Sequence, residues 1–272
     1  SGISVEQLFA WCEKEDFDVI DGLIDKSWVI HNRITDEVHL HPLISDLMQE
    51  ELALDPESCR AYIQNLTDAC TNTFNTEWQE KQKLLDYTKT ACERVPEDSE
   101  LLKMVCLARA SMLQDIWAYG ESEKLYREVL AHTQKPEERA RLHHHISHVQ
   151  ILNGFYESGL ETAWKGLSEL EGISLCEMSR ELGYYYNELL RRISEANRHL
   201  GHYEEAVRYA RKAVEECGDF YVTSKECSRG WAEYHLARSL FESGEWDESE
   251  TVIRHAYSLF EKVGDEWSTE YC

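Results

Sequence analysis

The chain has 272 residues, of which 52 are acidic and 28 are basic, and its formal net charge is −24 at pH 7. This charge repels phosphate backbones and anionic lipids, and no apolar run approaches the ~20 residues of a membrane span, so we expect neither nucleic-acid nor membrane binding. Nine cysteines without a CxxC pair are typical of free thiols in a reducing cytoplasm, and not of a disulfide or zinc framework.

Residues 1–54 are predicted to form a small module of mixed structure. The helical spacing of apolar residues predicts helices over Val5–Cys12 and Phe17–Lys26. The apolar segments Trp28–Ile30 and Val38–Leu40 flank a polar stretch, which predicts a short β-hairpin.

The order helix, strand, turn, strand resembles the end of a winged helix, a module that often binds DNA. Pro42 then begins another helix, at a position where its missing N–H is not needed. A helix that reads DNA carries basic residues, whereas the corresponding helix here carries Asp16, Asp18, Asp21 and Asp25. We therefore interpret the module as a structural adaptor.

Residues 55–97 are predicted to form a helix pair that joins this adaptor to the rest of the chain. Pro56 and Pro96 bracket the segment, and apolar residues recur at helical spacing in both of its halves. The small residues that mark the later repeats do not occur here at the same positions, so the pair is interpreted as a degenerate repeat.

Residues 98–272 contain a pattern that recurs four times. Each unit has an aromatic residue just after a turn, at Tyr119, Tyr156, Tyr203 and Trp246. Nine positions earlier lie the small residues Ala110, Ser147, Ser194 and Ala237, and three positions later lie Ser122, Gly159, Ala206 and Ser249. Ten positions later lie Val129, Gly166, Ala213 and Ala256. Small residues at fixed positions allow paired helices to approach closely, so the pattern predicts an array of helix pairs.

The pattern resembles the tetratricopeptide repeat (TPR), although the aromatic residues are 37, 47 and 43 positions apart, more than the usual ~34. The resemblance implies an all-α fold, a right-handed superhelical solenoid of antiparallel helix pairs with about four repeats and a terminal helix. The winged-helix remnant with its short β-hairpin would precede it. An ordinary amphipathic helical bundle with alanines at the helix crossings is the alternative.

In TPR proteins the first helix of each pair lines a concave groove, and the resemblance implies which positions contact a ligand. They are Arg141, His144, His145, His148, Glu188, Arg191, Glu195, Arg198, Trp231, Tyr234, Arg238 and Phe241. Arginine suits carboxylates and aromatic rings suit apolar side chains, so we expect a protein or peptide ligand of acidic and aromatic character. The alternative is that Arg191 and Arg198 pair with Glu188 and Glu195 along their own helix.

The histidines at His143–His145 and His148 are the one cluster with metal-binding spacing. His144 and His148 are one helical turn apart, but no carboxylate or cysteine in that turn completes a ligand set. We therefore predict groove-lining histidines and no metal site, although the sequence does not settle this.

The segment Leu40–Leu47 carries a second resemblance, through the residues LHPLISDL. It is similar to the end of the winged helix in STAND regulatory ATPases of the NB-ARC group, although Pro42 stands where Asp is usual. In that family the motif histidine helps hold ADP, which implies a nucleotide-sensing role for His41. The alternative is that His41 caps or packs at the strand–helix junction.

The ATPase domain of such a regulator is not in this chain, because no GxxxxGK[ST] phosphate-binding loop occurs. Ser1 in place of a start methionine is typical of a processed or excised chain. We expect a non-catalytic, cytoplasmic protein without a cofactor, the sensor and scaffold region of a bacterial signalling regulator. A peptide-pheromone receptor and a passive assembly scaffold are the alternatives. An uncapped solenoid end would favour a homodimer, and the sequence leaves the ligand and the oligomeric state open.

Overall fold

A computed structural model describes residues 2–15, 18–45, 56–71, 76–95, 100–221 and 224–272. By packing they divide into two compact units, Ser1–Leu125 and Tyr126–Cys272. The three-part organisation predicted from the sequence, residues 1–54, 55–97 and 98–272, stays a prediction. None of the helices in the described ranges is long and apolar enough to cross a bilayer.

The first unit begins with a small antiparallel sheet and two short helices. Its elements are β1 (Ile3–Ser4), α1 (Val5–Cys12), α2 (Asp18–Asp25), β2 (Val29–Asn32) and β3 (Glu37–Leu40), with the strand order β1-β3-β2. The predicted hairpin is confirmed as β2 and β3. The sequence analysis missed β1, because two residues are too few to show the alternation of a strand. A helix begins at Pro42, and the part of the predicted helix beyond Ser45 lies outside the described residues.

Four longer helices follow, and the boundary of the first unit lies within the last of them. They are α3 (Pro56–Thr71), α4 (Trp78–Arg94), α5 (Glu100–Asp115) and α6 (Tyr119–Ala131), the last of which continues into the second unit. The two helices expected between Pro56 and Pro96 are α3 and α4. The ring of Trp11 on α1 lies 5.4 Å from the ring of Tyr62 and 6.0 Å from that of Tyr87, both edge-on. The small sheet, α1 and the helices therefore share one core.

After the end of α6, the second unit contains three antiparallel helix pairs and a short terminal helix, with a 3-10 turn at Leu175–Glu177 between the first two pairs. The helices are α7 (Pro136–Leu152), α8 (Tyr156–Ser168), α9 (Arg180–His199), α10 (Tyr203–Glu215), α11 (Lys225–Ser243), α12 (Trp246–Val263) and α13 (Glu266–Thr269). Each first helix packs against the second helix of its own pair, and the first helices α7, α9 and α11 also pack side by side. The all-α class is confirmed.

The recurrent small residues lie where the two helices of a pair cross. The Ser122 hydroxyl donates to the Ala110 carbonyl oxygen (2.7 Å), and the Ser249 hydroxyl donates to that of Ala237 (2.7 Å). In the third repeat the direction is reversed, and Ser194 donates to the carbonyl oxygen of Ala206 (2.8 Å). In the second, a Cβ on Gly159 would lie 3.2 Å from the Ser147 carbonyl oxygen and 2.7 Å from Ile151 Cγ1. Every crossing thus brings a backbone carbonyl against a small residue.

Each turn between paired helices contains one residue with positive φ. Glycine occupies that position in three repeats, at Gly154 (φ 83°), Gly201 (φ 78°) and Gly244 (φ 90°). In the first repeat the residue is Trp117, with φ 60°. A left-handed conformation costs a non-glycine residue about 1–2 kcal/mol, so the first turn is the least favourable of the four.

Candidate ligand-binding face

The predicted contact residues lie on the three first helices of the second unit, α7, α9 and α11, which pack side by side. The structure divides them by burial. The buried ones are His144, Glu188, Arg191, Arg198 and Tyr234, and the half-buried ones are Arg141, His145, His148, Glu195, Trp231 and Arg238. Phe241 is 64% exposed. We call the half-buried and exposed members the candidate face.

Two of the buried members, Glu188 and Arg191, belong to an ionic network around Glu188, whose residue surface is only 4% exposed. Its carboxylate forms an ion pair with Arg191, and its Oε2 lies 3.7 Å from Arg192 Nη2. Arg192 Nη1 donates in turn to Glu195 Oε2 at 2.5 Å. Burial lowers the pKa of Arg191 to about 10, which leaves the guanidinium charged at neutral pH. The cations of this network are therefore balanced by carboxylates of the same helix.

Arg192 is the member that the sequence analysis missed. It is as deeply buried as Arg191, and its spacing of four from Glu188 and three from Glu195 was the available signal. Arg198 does not pair with Glu195, since its Nη1 donates to Glu242 Oε1 on α11 at 2.6 Å. Arg191 and Arg198 thus both have carboxylate partners within the protein.

The histidines of α7 and α11 lie close to this network and are neutral at pH 7. Burial, followed by the neighbouring charges, holds the pKa values of His144, His148 and His235 well below 6.5. Burial also lowers the pKa of His145 to about 4, and its ring stacks on that of Tyr126 at 5.0 Å. The described part of the chain holds no group of three or more His, Cys, Asp or Glu side chains arranged to bind a metal.

Arg238 differs from the other arginines of the predicted set. Its Nη1 donates to the Tyr234 hydroxyl at 3.2 Å, and its guanidinium lies 5.5 Å from the centre of the Tyr234 ring. No carboxylate in the described ranges forms an ion pair with it, because Glu242, one turn further along α11, is bound by Arg198. Arg238 is therefore a fixed cation with unused donors.

A cluster of aromatic rings supports this end of the candidate face. The centre of the Trp231 ring lies 5.4 Å from those of Tyr234 and Phe260, and 5.7 Å from those of Trp267 and Tyr271. Such edge-to-face contacts fix ring orientations. The end of the face near Arg238 is thus lined by mutually packed aromatic rings.

His41 lies apart from these residues, in the first unit. Its backbone N–H donates to the Trp28 carbonyl oxygen at 2.8 Å, and its Nδ1 accepts from the Leu43 N–H at 3.3 Å. The ring therefore caps the helix that begins at Pro42, as a polar side chain before a helix often does. The nucleotide-sensing role implied by the resemblance stays a prediction.

Comparison with known proteins finds similar folds but no matching sequence family. No protein-family model and no curated protein matches the chain. PlcR of Bacillus thuringiensis, solved with the peptide PapR7 and DNA, is 12% identical with a TM-score of 0.59, over 94% of this chain and 84% of that one. The TPR-like repeats of a Podospora anserina kinesin light chain protein are 15% identical with a TM-score of 0.56, over 77% of this chain and 98% of that one.

A third solved structure is similar over nearly the whole chain. It is a STAND protein with a tetratricopeptide repeat sensor from Pyrococcus horikoshii, 10% identical with a TM-score of 0.52. The match covers 99% of this chain and 43% of that protein. Together with the helix pairs, their crossings and their turns, these similarities confirm the predicted resemblance: the chain has the TPR solenoid fold and resembles the TPR-containing part of a STAND protein.

Proposed function

We propose that the chain binds a peptide or protein segment on the candidate face and acts as the sensor or scaffold region of a cytoplasmic signalling regulator. The observation that carries this proposal is the arrangement of α7, α9 and α11. These helices pack side by side and hold half-buried cations and rings along one surface of a protein whose net charge is −24. A locally cationic, aromatic surface suits an acidic ligand with aromatic side chains.

The structural neighbours support this type of function and leave its details open. PlcR was solved with a peptide bound, and the repeats of the Pyrococcus protein are described as a sensor. PlcR was also solved with DNA, but the carboxylates of α2 make DNA binding by the present chain unfavourable. We propose a non-catalytic role, in which the paired charged groups buried beneath the face have a structural function.

The similarity to a STAND protein favours a regulator over a receptor that acts alone. In such a regulator the first unit would contain the winged-helix adaptor, and His41 would contact a nucleotide held by a domain outside this chain. Ligand binding would then need to favour one of two states of the parent protein. A peptide-pheromone receptor and a passive scaffold remain the alternatives.

The burial of Arg191 and Arg198 decides how the proposal should be tested. Reversing either charge would disrupt a buried ion pair and unfold the face, so loss of binding would not report on the ligand. The informative variant is Arg141→Gln/Phe241→Ala, because Arg141 is half-buried, its ion pair with Glu181 is long at 3.9 Å, and its other contact is a hydrogen bond with the Tyr185 side chain. Arg254→Gln on α12 is the control, since this side chain is exposed and pairs with Glu250 on its own helix.

The test is selection of a random dodecapeptide display library on the full chain. We expect enriched peptides that combine acidic and aromatic residues and that bind the double variant at least tenfold more weakly, with the control unchanged. Absence of enrichment, or equal binding by the double variant, would contradict the proposal. If the enriched peptide sequences bind only when two of them are present in one longer protein, the result would favour the passive-scaffold alternative.

A further inference from the structure

A cavity of about 300 Å³ lies between α11 and α12 at the end of the candidate face. Side chains from both helices and from the last residues of the chain line it, including Tyr234, Arg238, Phe241, Ile253 and Tyr271. Ligand cavities in proteins measure about 300–1,000 Å³. The volume is therefore suited to one large side chain and not to an extended segment.

The cavity combines an apolar wall with one available cation. Phe241, Ile253 and Tyr271 supply apolar surface, and the Trp231 cluster fixes the rings behind it. Arg238 is held in place by its hydrogen bond to Tyr234 and by its position over that ring. Glu242 also borders the cavity, but its charge is engaged by Arg198 at 2.6 Å. Cys272 borders the cavity as well, and Arg238 is the one cationic residue in its lining.

A ligand that contacts both the apolar wall and Arg238 must place an aromatic group and a carboxylate in this small space. In the interior of a peptide they belong to different residues, whose backbone would also have to enter. At a C-terminus one residue carries both groups, and the guanidinium fork matches the geometry of a carboxylate. We infer that the cavity binds the C-terminal residue of a peptide ligand, an aromatic residue whose α-carboxylate is bound by Arg238.

This inference rests on the proposed function and specifies which part of the ligand the face recognises. It predicts that binding depends on the terminal charge as well as on the ring. Removal of a buried hydrogen-bonded charge partner weakens binding strongly, because the remaining charge stays without a counter-ion. A matched pair of ligands, one ending in an acid and one in an amide, measures this dependence.

The probe is the tetrapeptide Gly-Gly-Gly-Phe with fluorescein on its N-terminus, measured by fluorescence polarisation against the full chain. We expect saturable binding of the acid, and at least tenfold weaker binding of its C-terminal amide and of Gly-Gly-Gly-Ala. Arg238→Gln should weaken the acid at least tenfold and leave the amide unchanged, whereas Arg254→Gln should change neither. Circular dichroism of Arg238→Gln establishes that the variant is folded.

Several outcomes would overturn the inference. They are no saturable binding of the acid, equal binding of acid and amide, or an Arg238→Gln variant that is folded and binds the acid like the wild type. Unlabelled N-acetylphenylalanine that competes as strongly as the tetrapeptide would assign the cavity to a free aromatic acid and not to a peptide end.

The proposed function and this inference are refuted by different results. If library peptides bind the face but are insensitive to amidation and to Arg238→Gln, the proposed function stands and this inference falls. If no library peptide binds, the proposed function falls too.

Discussion

Replacement of Glu188 by Gln should destabilise the second unit far more than an isosteric change usually does. The substitution keeps the shape of the side chain but removes the charge that balances Arg191, a residue only 5% exposed. Removal of one partner of a buried ion pair costs about 3–5 kcal/mol, because the other charge stays buried without compensation. The Nε atoms of Arg191 and Arg192 already have no acceptor among the described residues, so the loss of the carboxylate charge adds to donors that are unsatisfied.

The expected effect is large enough for a simple thermal measurement. For domains of 150–250 residues, 1 kcal/mol shifts Tm by about 2–4 °C, so Glu188→Gln should lower it by roughly 6–20 °C. Circular dichroism and urea unfolding would measure the change. Glu250→Gln is the control, because its ion pair with Arg254 has side chains 64% and 76% exposed and is expected to contribute at most ~1 kcal/mol.

A double-variant cycle separates charge balance from packing. Arg191→Met removes the uncompensated cation and keeps an apolar stem, so Glu188→Gln/Arg191→Met should be more stable than Glu188→Gln alone. The reasoning is refuted if Glu188→Gln lowers Tm no more than Glu250→Gln does. It is also refuted if the loss of stability in the double variant equals the sum of the losses in the two single variants.

Three other predictions concern pH, packing and thiols. The folded pKa values of His144, His148 and His235 lie below the unfolded value of about 6.5. Above that pH the contribution of these histidines to the free energy of unfolding is therefore constant. It should fall as the pH drops through 6.5 towards 5, and a constant Tm between pH 7.5 and 5 would contradict this. Gly159→Ala should cost about 1–3 kcal/mol through its 2.7 Å approach to Ile151. Gly120→Ala, with open space around the new Cβ, should be neutral or stabilising in the same urea titration. The sulfur atoms of Cys92 and Cys106 lie 3.5 Å apart, so diamide should oxidise them to a disulfide while it is reduced to its hydrazine. Peptide mapping should find this link, and Cys92→Ser should abolish it.

The sequence predicted the helix pairs because their signals are local. Small residues at the crossings, glycines in the turns and the aromatic residues after them lie within a few helical turns of one another, so spacing alone identifies the unit. The same reasoning failed at β1, where Ile3 and Ser4 carry no periodicity and pair with β3 through a contact distant in sequence. The spacing from the aromatic residue does align Trp117 with the glycines of the other three turns, and the structure gives it the same positive φ.

The helix positions of the predicted contact residues follow from the sequence, but the partners of their side chains do not. Helical spacing identified Glu188 and Arg191 as neighbours, and the structure places both in the interior. The partner of Arg198 lies 44 residues away on another helix, which no local pattern indicates. Glu242 pairs with Arg198 and not with Arg238, and such competition between side chains depends on the packing of α9 against α11.

The hydrogen bonds at the helix crossings have a consequence for folding. Ser122, Ser194 and Ser249 each bond to a residue that is 12 positions away in sequence. Contacts this local close small loops, so each helix pair can form early and without the rest of the chain. The helix α9 packs against α7, α8, α10 and α11 and gains most from its neighbours. We therefore expect the second unit to nucleate around α9 and to fray from its last helices, with amide hydrogens that exchange slowest in α9 and fastest in α13.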